Sequence, residues 1–346
     1  MTLDLRLWAT RAAPDAGFAS AWEARLARLP MANYSMRLDY LRWEAEQGRH
    51  ARLVLADEGE RRAALVLRED GGELHCGWPW RWQSALEQPD PRFLPGLSPA
   101  DAAWLFLQAH ACAGDLRLRA FLPAATHAGL AGFRAGATIC QAIDREDAEL
   151  LAAMGASKRR HYRRALGEGF EVRAAGAVEE FAAFRQLERC AMRLREDDGP
   201  VKDDPPAPGH GYREWELPWM QLIVALKDGE VVAGVGDGVI PGGMVEGRAA
   251  AVSVEMRRLG VMALLSHAEA RWLRDRGHRW FNHGGDTMFK REVAGTLGRR
   301  LEMFCWLGGG ARWSGLNRAE ALLRRARPRV AGWVRAVGRR FDRRAR

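Results

Sequence analysis

The stretch Phe-Asn-His-Gly-Gly-Asp-Thr-Met-Phe-Lys-Arg-Glu-Val-Ala-Gly (281–295) sets charged groups and adjacent glycines at the end of an apolar strand. Gly284 and Gly285 either let a ligand come close to the backbone or make a turn. Asp286 is a candidate proton acceptor or a seat for a cationic substrate. An Asp after two glycines also bonds its own backbone in a turn. His283 is an alternative base, although a lone histidine at a strand end is often structural. Lys290 follows an apolar anchor, Phe289, and either acts on a ligand or faces water.

A second concentration of charge is Lys158, Arg159, Arg160, Arg163 and Arg164, five cations on little more than two helical turns. Guanidinium forks suit phosphate, so Lys158, Arg159 and Arg163 are candidate substrate contacts. The same pattern also describes a solvated basic face paired with the acidic helix at 145–149. Tyr212, Trp215 and Trp219 follow the acidic, proline-rich loop 196–211 and either line an acceptor groove or belong to the core. That loop reads as a connector or a lid. Glu255 is a further candidate base, or a surface carboxylate paired with Arg257 or Arg258. No Cys or Ser stands in a nucleophile motif, so any transfer is expected to be direct.

The elements that must position these residues follow from turns and caps. Residues 53–65 and 223–235 each read strand, acidic-glycine turn, strand, and Asp228-Gly229 suits a type I′ hairpin. Ser98 with Pro99 opens a helix that runs to Gly114, followed by a strand at 116–122. Val261, Leu264, Leu265, Ala268 and Trp272 form one helical stripe ending near Gly277, followed by a strand at 279–283. The matched order predicts an α+β chain of two similar domains in tandem, 1–148 and 149–310, with mixed, mostly antiparallel sheets flanked by helices.

Bulk properties agree with a soluble, two-domain protein. The 346 residues are 47% apolar and include 14 Trp. Five dispersed cysteines argue against a disulfide framework or a zinc knuckle, and for a reducing cytoplasm. No run approaches the ~20 apolar residues of a membrane span, and the start lacks the layout of a secretory signal. The net charge of +9 belongs to the end of the chain: residues 311–346 hold 12 Arg against Glu320 and Asp342, and the rest nearly cancels. The tail 316–346 places Val330, Trp333, Val334, Val337 and Phe341 on one face amid arginines. This suits an anionic membrane surface, tRNA, or docking on the body.

Two segments carry a resemblance to a family. Gly-Ala-Ser-Lys-Arg-Arg-His-Tyr-Arg-Arg-Ala-Leu-Gly-Glu-Gly-Phe-Glu-Val (155–172) resembles the basic helix that joins the halves of FemAB-like acyltransferases, which include the CelD-type proteins. The stretch 281–295 resembles the glycine-rich turn and Phe/Tyr-Lys element near the end of their second domain. The resemblance implies two GNAT-like domains in tandem and an acyl donor held beside an amine or hydroxyl acceptor. It also implies that Lys290 stabilises an oxyanion or a donor phosphate. The second domain is expected to carry the chemistry, because the first has no Gly-Gly-Asp…Phe-Lys counterpart.

GNAT enzymes cradle the diphosphate of coenzyme A at a helix N-terminus after an R/Q-x-x-G-x-G/A loop. By that resemblance Arg257, Arg258, Gly260, Val261 and Phe289 are the cofactor-binding candidates. Met262 stands where a small residue is expected and would crowd a diphosphate. The implied function is transfer of an acyl group from acyl-CoA (acetyl-CoA) to an amine of a cell-envelope or exopolysaccharide precursor, lipid-linked or small, without a metal. One alternative is an aminoacyl-tRNA-dependent transferase on a peptidoglycan-type precursor. Another is a non-enzymatic protein docking on membrane or nucleic acid. The implied location is the cytoplasm, peripheral to the inner membrane face.

Overall fold

The computed structural model describes residues 4–11, 15–87, 95–124, 131–193 and 217–325. The first half contains β1 (Asp4–Ala9), α1 (Ala16–Leu26), α2 (Leu38–Glu46), β2 (Ala51–Glu58), β3 (Arg61–Asp70), β4 (Glu73–Cys76), β5 (Ser84–Leu86), α3 (Pro99–Ala113), β6 (Arg117–Pro123) and β7 (Gly132–Ala142). Then come α4 (Asp147–Ala153), α5 (Ala156–Gly167), β8 (Glu171–Ala174), α6 (Val178–Arg193), β9 (Met220–Lys227), β10 (Glu230–Gly238), β11 (Val245–Val252), α7 (Val261–Asp275), β12 (Trp280–Gly285), α8 (Met288–Ala294) and β13 (Gly298–Gly308).

Local chemistry sets the boundaries. The Ser98 hydroxyl accepts from the Asp101 N–H at 3.1 Å with Pro99 in the first turn, and α3 stops at Gly114. Asp228 and Gly229 join β9 to β10 with φ of 54° and 82°, the positive values that both central residues of a type I′ turn need.

The strands form one continuous mixed sheet in the order β1-β2-β3-β4-β6-β13-β7-β12-β11-β10-β9-β8, with β5 pairing β3. Only β4–β6 and β11–β12 are parallel among the named pairs. The centre of this order is an exchange: β13, last in sequence, lies between β6 and β7 of the first half, while β7 pairs β12 of the second. Each half supplies the other's inner strand. Trp306 of β13 is fully buried and meets Phe106 of α3 edge-on at 5.3 Å, which ties the exchanged strand into the first half's core.

The sheet's parallel pair opens early. β11 and β12 are in register only at Val245–Phe281 and Glu246–Asn282, and then part. Both strands carry bulges at the opening. Gly247 and Ala249 of β11 pair consecutive β10 residues, Asp237 and Gly236, so Arg248 is the extra residue. In β12, Asn282 and Gly285 pair Cys140 and Thr138, which leaves one residue too many at 283–284. Bulges bend a strand and re-aim its side chains.

Residues 314–325 are helical and docked on the body. The Glu320 carboxylate accepts from Arg119 at 2.7 and 2.9 Å and also from Arg117, whose Nε donates to Asn317 at 2.8 Å. The start of the basic tail is therefore pinned rather than free, and its continuation 326–346 lies outside the described residues. No described helix is long and apolar enough to cross a membrane.

Candidate active site

Where β11 and β12 separate, a cavity of about 490 Å³ opens, lined by Arg248, Ser266, Glu269, His283, Phe289 and Lys290 among others. Its size falls in the ordinary range for a small-molecule site. Six elements meet there: the free edge of β11, the bulged end of β12, one face of α7 and the short helix α8, with Val235 of β10 and Glu188 of α6. Past the second registered pair, the β12-facing backbone groups of Gly247–Ala250 are no longer paired to β12. Such an edge offers hydrogen bonds to an extended amide-bearing ligand.

Lys290 sits in α8, whose N-cap Thr287 accepts from the Lys290 N–H at 3.4 Å. The side chain turns back onto β12. A β-carbon on Gly284, where φ is +76°, would stand 3.4 Å from Nζ. The glycine serves the left-handed backbone, and the ammonium lies within ordinary contact distance of it. Thr138 locks this bulge by donating to the Gly284 carbonyl at 2.7 Å, while the Gly284 N–H donates to Asn282 Oδ1 at 2.9 Å. Phe289 lines the same cavity.

His283 is buried beneath the ammonium. Its Nε2–H donates to Gln141 Oε1 at 2.8 Å, and its ring lies 4.2 Å from that of Phe281. Burial first, and the Lys290 charge second, push its pKa down to about 3, so the ring is neutral.

The acidic groups divide differently from the sequence reading. Asp286 accepts from Arg291 at 2.6 Å and from Arg300 at 2.6 Å, and is not among the residues lining the cavity. Hydrogen bonding to Arg291 leads in holding its pKa down, to about 2, which makes it a weak base already engaged elsewhere. Glu255 is exposed in the turn after β11. Two carboxyls line the cavity: Glu188 of α6, which pairs with Arg185, and Glu269 of α7, hydrogen-bonded to Asp237 of β10. Gln221 donates to Asp237 Oδ2 at 3.0 Å. Burial raises the pKa values of Asp237 and Glu269, and the charge of Lys290 offsets part of the shift at Glu269.

Sequence reasoning passed over Glu269. A single Glu in an apolar helical stripe reads as a surface residue. The available signal was its spacing: Met262, Ser266 and Glu269 stand at i, i+4 and i+7, one face of α7, and all three line the cavity. Arg248 was missed because its bulge interrupts the alternation that predicts where a strand residue points.

The proposed diphosphate loop is arranged around packing. Arg257 and Arg258 are exposed in a short 3-10 turn, and Gly260 and Val261 begin α7. A β-carbon on Gly260 would meet the His161 carbonyl of α5 at 2.4 Å, so this glycine admits a neighbouring helix. The basic face of α5 is partly spent on structure. Lys158 pairs with Glu292 at 3.1 Å and stands 4.8 Å over the Phe289 ring. Arg159 donates to the carbonyls of Ala152 and Met154 at the end of α4. Arg160, Arg163 and Arg164 are exposed. Gly285 ends β12 with open space beside it. Trp219 is a core residue, edge-on to Tyr40 at 5.8 Å. Tyr212, Trp215 and the loop 196–211 lie outside the described residues.

No family model matches the sequence, and no curated protein matches it. Solved structures do. FemX aligns at 12% identity and a TM-score of 0.59, covering 86% of this chain and 98% of that one. The C-terminal domain of a putative lysylphosphatidylglycerol synthetase from Agrobacterium fabrum aligns at 16% identity and a TM-score of 0.51, covering 88% and 97%. A tandem GNAT protein from the clavulanic acid biosynthesis pathway aligns at 17% identity and a TM-score of 0.49, covering 90% and 100%.

Proposed function

From a chain with the FemAB-like tandem GNAT fold, we propose an N-acyltransferase whose reaction takes place in the cavity between β11 and β12. The observation that carries this reading is the Lys290 ammonium lying against Gly284 in a cavity that also holds Glu269. The acyl donor lies along the free edge of β11. The acceptor amine attacks the donor carbonyl carbon and passes its proton to the ionised member of the Asp237–Glu269 pair. Lys290 faces the oxygen that becomes negative in the tetrahedral intermediate. The bond from carbon to the leaving sulfur or ester oxygen then breaks, and the leaving atom takes up a proton. Cys76 and Cys305 are buried thiols with pKa values pushed up to about 12, far from a nucleophile's range.

Acyl-CoA is the first donor proposed, as is usual for GNAT folds. The proposed acceptor is an amine of a cell-envelope or exopolysaccharide precursor. Support for a membrane-proximal acceptor comes from the docked terminal helix, which exposes Leu316, Leu322 and Leu323 beside Arg318 and Arg324.

Aminoacyl-tRNA is the second donor proposed. It is favoured by the packing of α5 against Gly260, where GNAT enzymes seat a diphosphate, and by the exposed Arg160, Arg163 and Arg164. Thermal shifts with acetyl-CoA, longer acyl-CoAs and charged tRNA test both readings, because a ligand of the native state raises the midpoint. A shift with acyl-CoA selects the first. A shift with charged tRNA that falls steeply with salt selects the second. Silence across the panel would leave the non-enzymatic docking reading in place. A truncation testing that reading should end after residue 325, since a cut at 315 removes Glu320 from Arg117 and Arg119.

A further inference from the structure

The helix at 314–325 is turned inside out. Its buried residues are Asn317 and Ala321. Glu320 also faces inward, where with Glu73 it answers Arg117 and Arg119. Leu316, Ala319 and Leu323 stand at i, i+3 and i+7 on the opposite side, with Leu322 beside them, and all four are exposed. Leu322 and Leu323 are 65% and 72% exposed. A surface helix ordinarily buries its leucines and shows its polar side chains. One exposed leucine needs no explanation, but a row of them on one helix face does.

The apolar surface continues across a groove of about 750 Å³ between this helix and α3. Leu107 of α3, half exposed, forms one lip and Leu322 the other, with Phe106 and Leu307 among the walls. No Asp or Glu among the described residues lines the groove, whereas Arg318 and Arg325 do. Arg325 Nε donates to the Gly132 carbonyl at 2.8 Å, a neutral partner that leaves its charge in place. Glu320 is the one carboxylate of 311–325, and besides Arg117 and Arg119 it has Arg324 at 3.6 Å. Eight of the 12 arginines of 311–346 then follow residue 325, against Asp342.

The leucine row and the excess of cations select a partner together. A nucleic acid would use the arginines and leave the leucines in water. A second copy, or the chain's own tail, would lay arginines on arginines. An anionic bilayer accepts both, the leucines at the edge of its acyl region and the cations at its phosphates. We propose that the outward face of residues 314–325, with Leu107 across the groove, docks on an anionic lipid bilayer. The leucines enter the boundary between headgroups and acyl chains, Arg318 lies at headgroup level, and the arginines after residue 325 draw the protein to the surface. This docking goes beyond the transfer chemistry and does not depend on which donor is used.

Full-length protein is mixed with phosphatidylcholine vesicles made with and without phosphatidylglycerol, at low and high salt, and bound protein is measured by flotation. Binding is expected with phosphatidylglycerol alone and should fall as salt rises. Leu322→Ser combined with Leu323→Ser should weaken it about tenfold or more at an unchanged melting temperature, since both side chains already face water. Leu166→Ser, which alters a leucine 55% exposed on α5, should bind as the wild type does. Wild-type binding by the double variant would leave the attraction to the tail alone and overturn the docking face. Equal binding to both kinds of vesicle would overturn the anionic partner. Tighter binding to tRNA than to vesicles, undiminished in the double variant, would assign the surface to nucleic acid. A dimer that the double variant loses would assign it to a second copy, and either result sinks the proposal. No arm requires turnover, so docking can fail while the role of Lys290 stands, and the reverse.

Discussion

Glu269 reaches from α7 to hydrogen-bond Asp237 on β10, and neither residue is more than 4% exposed. Two carboxyls this close and this dry cannot readily both ionise, so the pair holds a proton at pH values where an isolated carboxyl has lost it. A raised pKa here has opposite consequences for rate and for stability. The capacity to accept a proton from an amine grows as pH rises through the pair's apparent pKa. The stability linked to burying the protonated form is complete below the unfolded carboxyl value and is lost over that same rise.

Glu269→Gln is therefore expected to lower turnover by ~10²–10³-fold near neutrality and to flatten the rising limb of the pH–rate profile. It should also remove part of that fall in stability as pH rises through the pair's apparent pKa. Asp286→Asn, which disrupts only the pairing with Arg291 and Arg300, should leave the pH–rate profile in place. The reverse pattern in paired profiles would move the base to Asp286.

Lys290→Ala is expected to slow turnover by ~10²–10³-fold with the melting temperature retained. Lys290→Arg should recover little, because the ammonium fits against a glycine and a planar fork has a different shape. Steady-state kinetics with the donor identified by thermal shift decides. Wild-type turnover in Lys290→Ala would take the lysine out of the mechanism.

Gly284→Ala tests the seat instead of the charge. The left-handed backbone should cost roughly 1–2 kcal/mol of stability, visible in denaturant melts. The added methyl would only touch Nζ, but relief of the backbone strain shifts the ammonium's seat, and turnover should fall by ~10–100-fold, as misplacement of a reacting group does. A variant that loses stability but keeps its rate would show that the position of the ammonium is not critical.

His283 sets an acid limit. Its folded pKa of about 3 lies below the ordinary 6.5, so the unfolded chain binds a proton that the native one refuses. The stability it contributes is complete above about pH 6.5 and declines as pH falls towards 3, by up to ~1.4 kcal/mol per unit. Melts of His283→Asn between pH 3 and 7 should lack that part of the slope. Equal slopes would place the acid sensitivity elsewhere.

What could be read from the sequence was what local rules govern. The Asp228-Gly229 hairpin, the Ser98 cap and the acidic-then-basic helix pair α4–α5 each depend on neighbours in the chain, and each stands in the structure. A short motif singles out Lys290 and Phe289 as candidates but places them at the end of a strand, whereas they stand in the first turn of α8. The strand exchange was not legible, because the partners of β13 lie far from it in sequence. Arg248 and Glu269 were hidden for a related reason. Bulge and burial are properties of the assembled sheet, and a lone Arg or Glu in an apolar run reads as solvent-facing.

The position of β13 also bears on how the molecule is born. During synthesis β6 and β7 emerge from the ribosome long before residues 298–308 are made, and each must wait with a bare edge towards the other. The amino-terminal half is thus left gaping through most of translation. Expressed alone it would leave β6 bare on one edge and β7 on both, and supplying β13 in trans would be the way to bridge them.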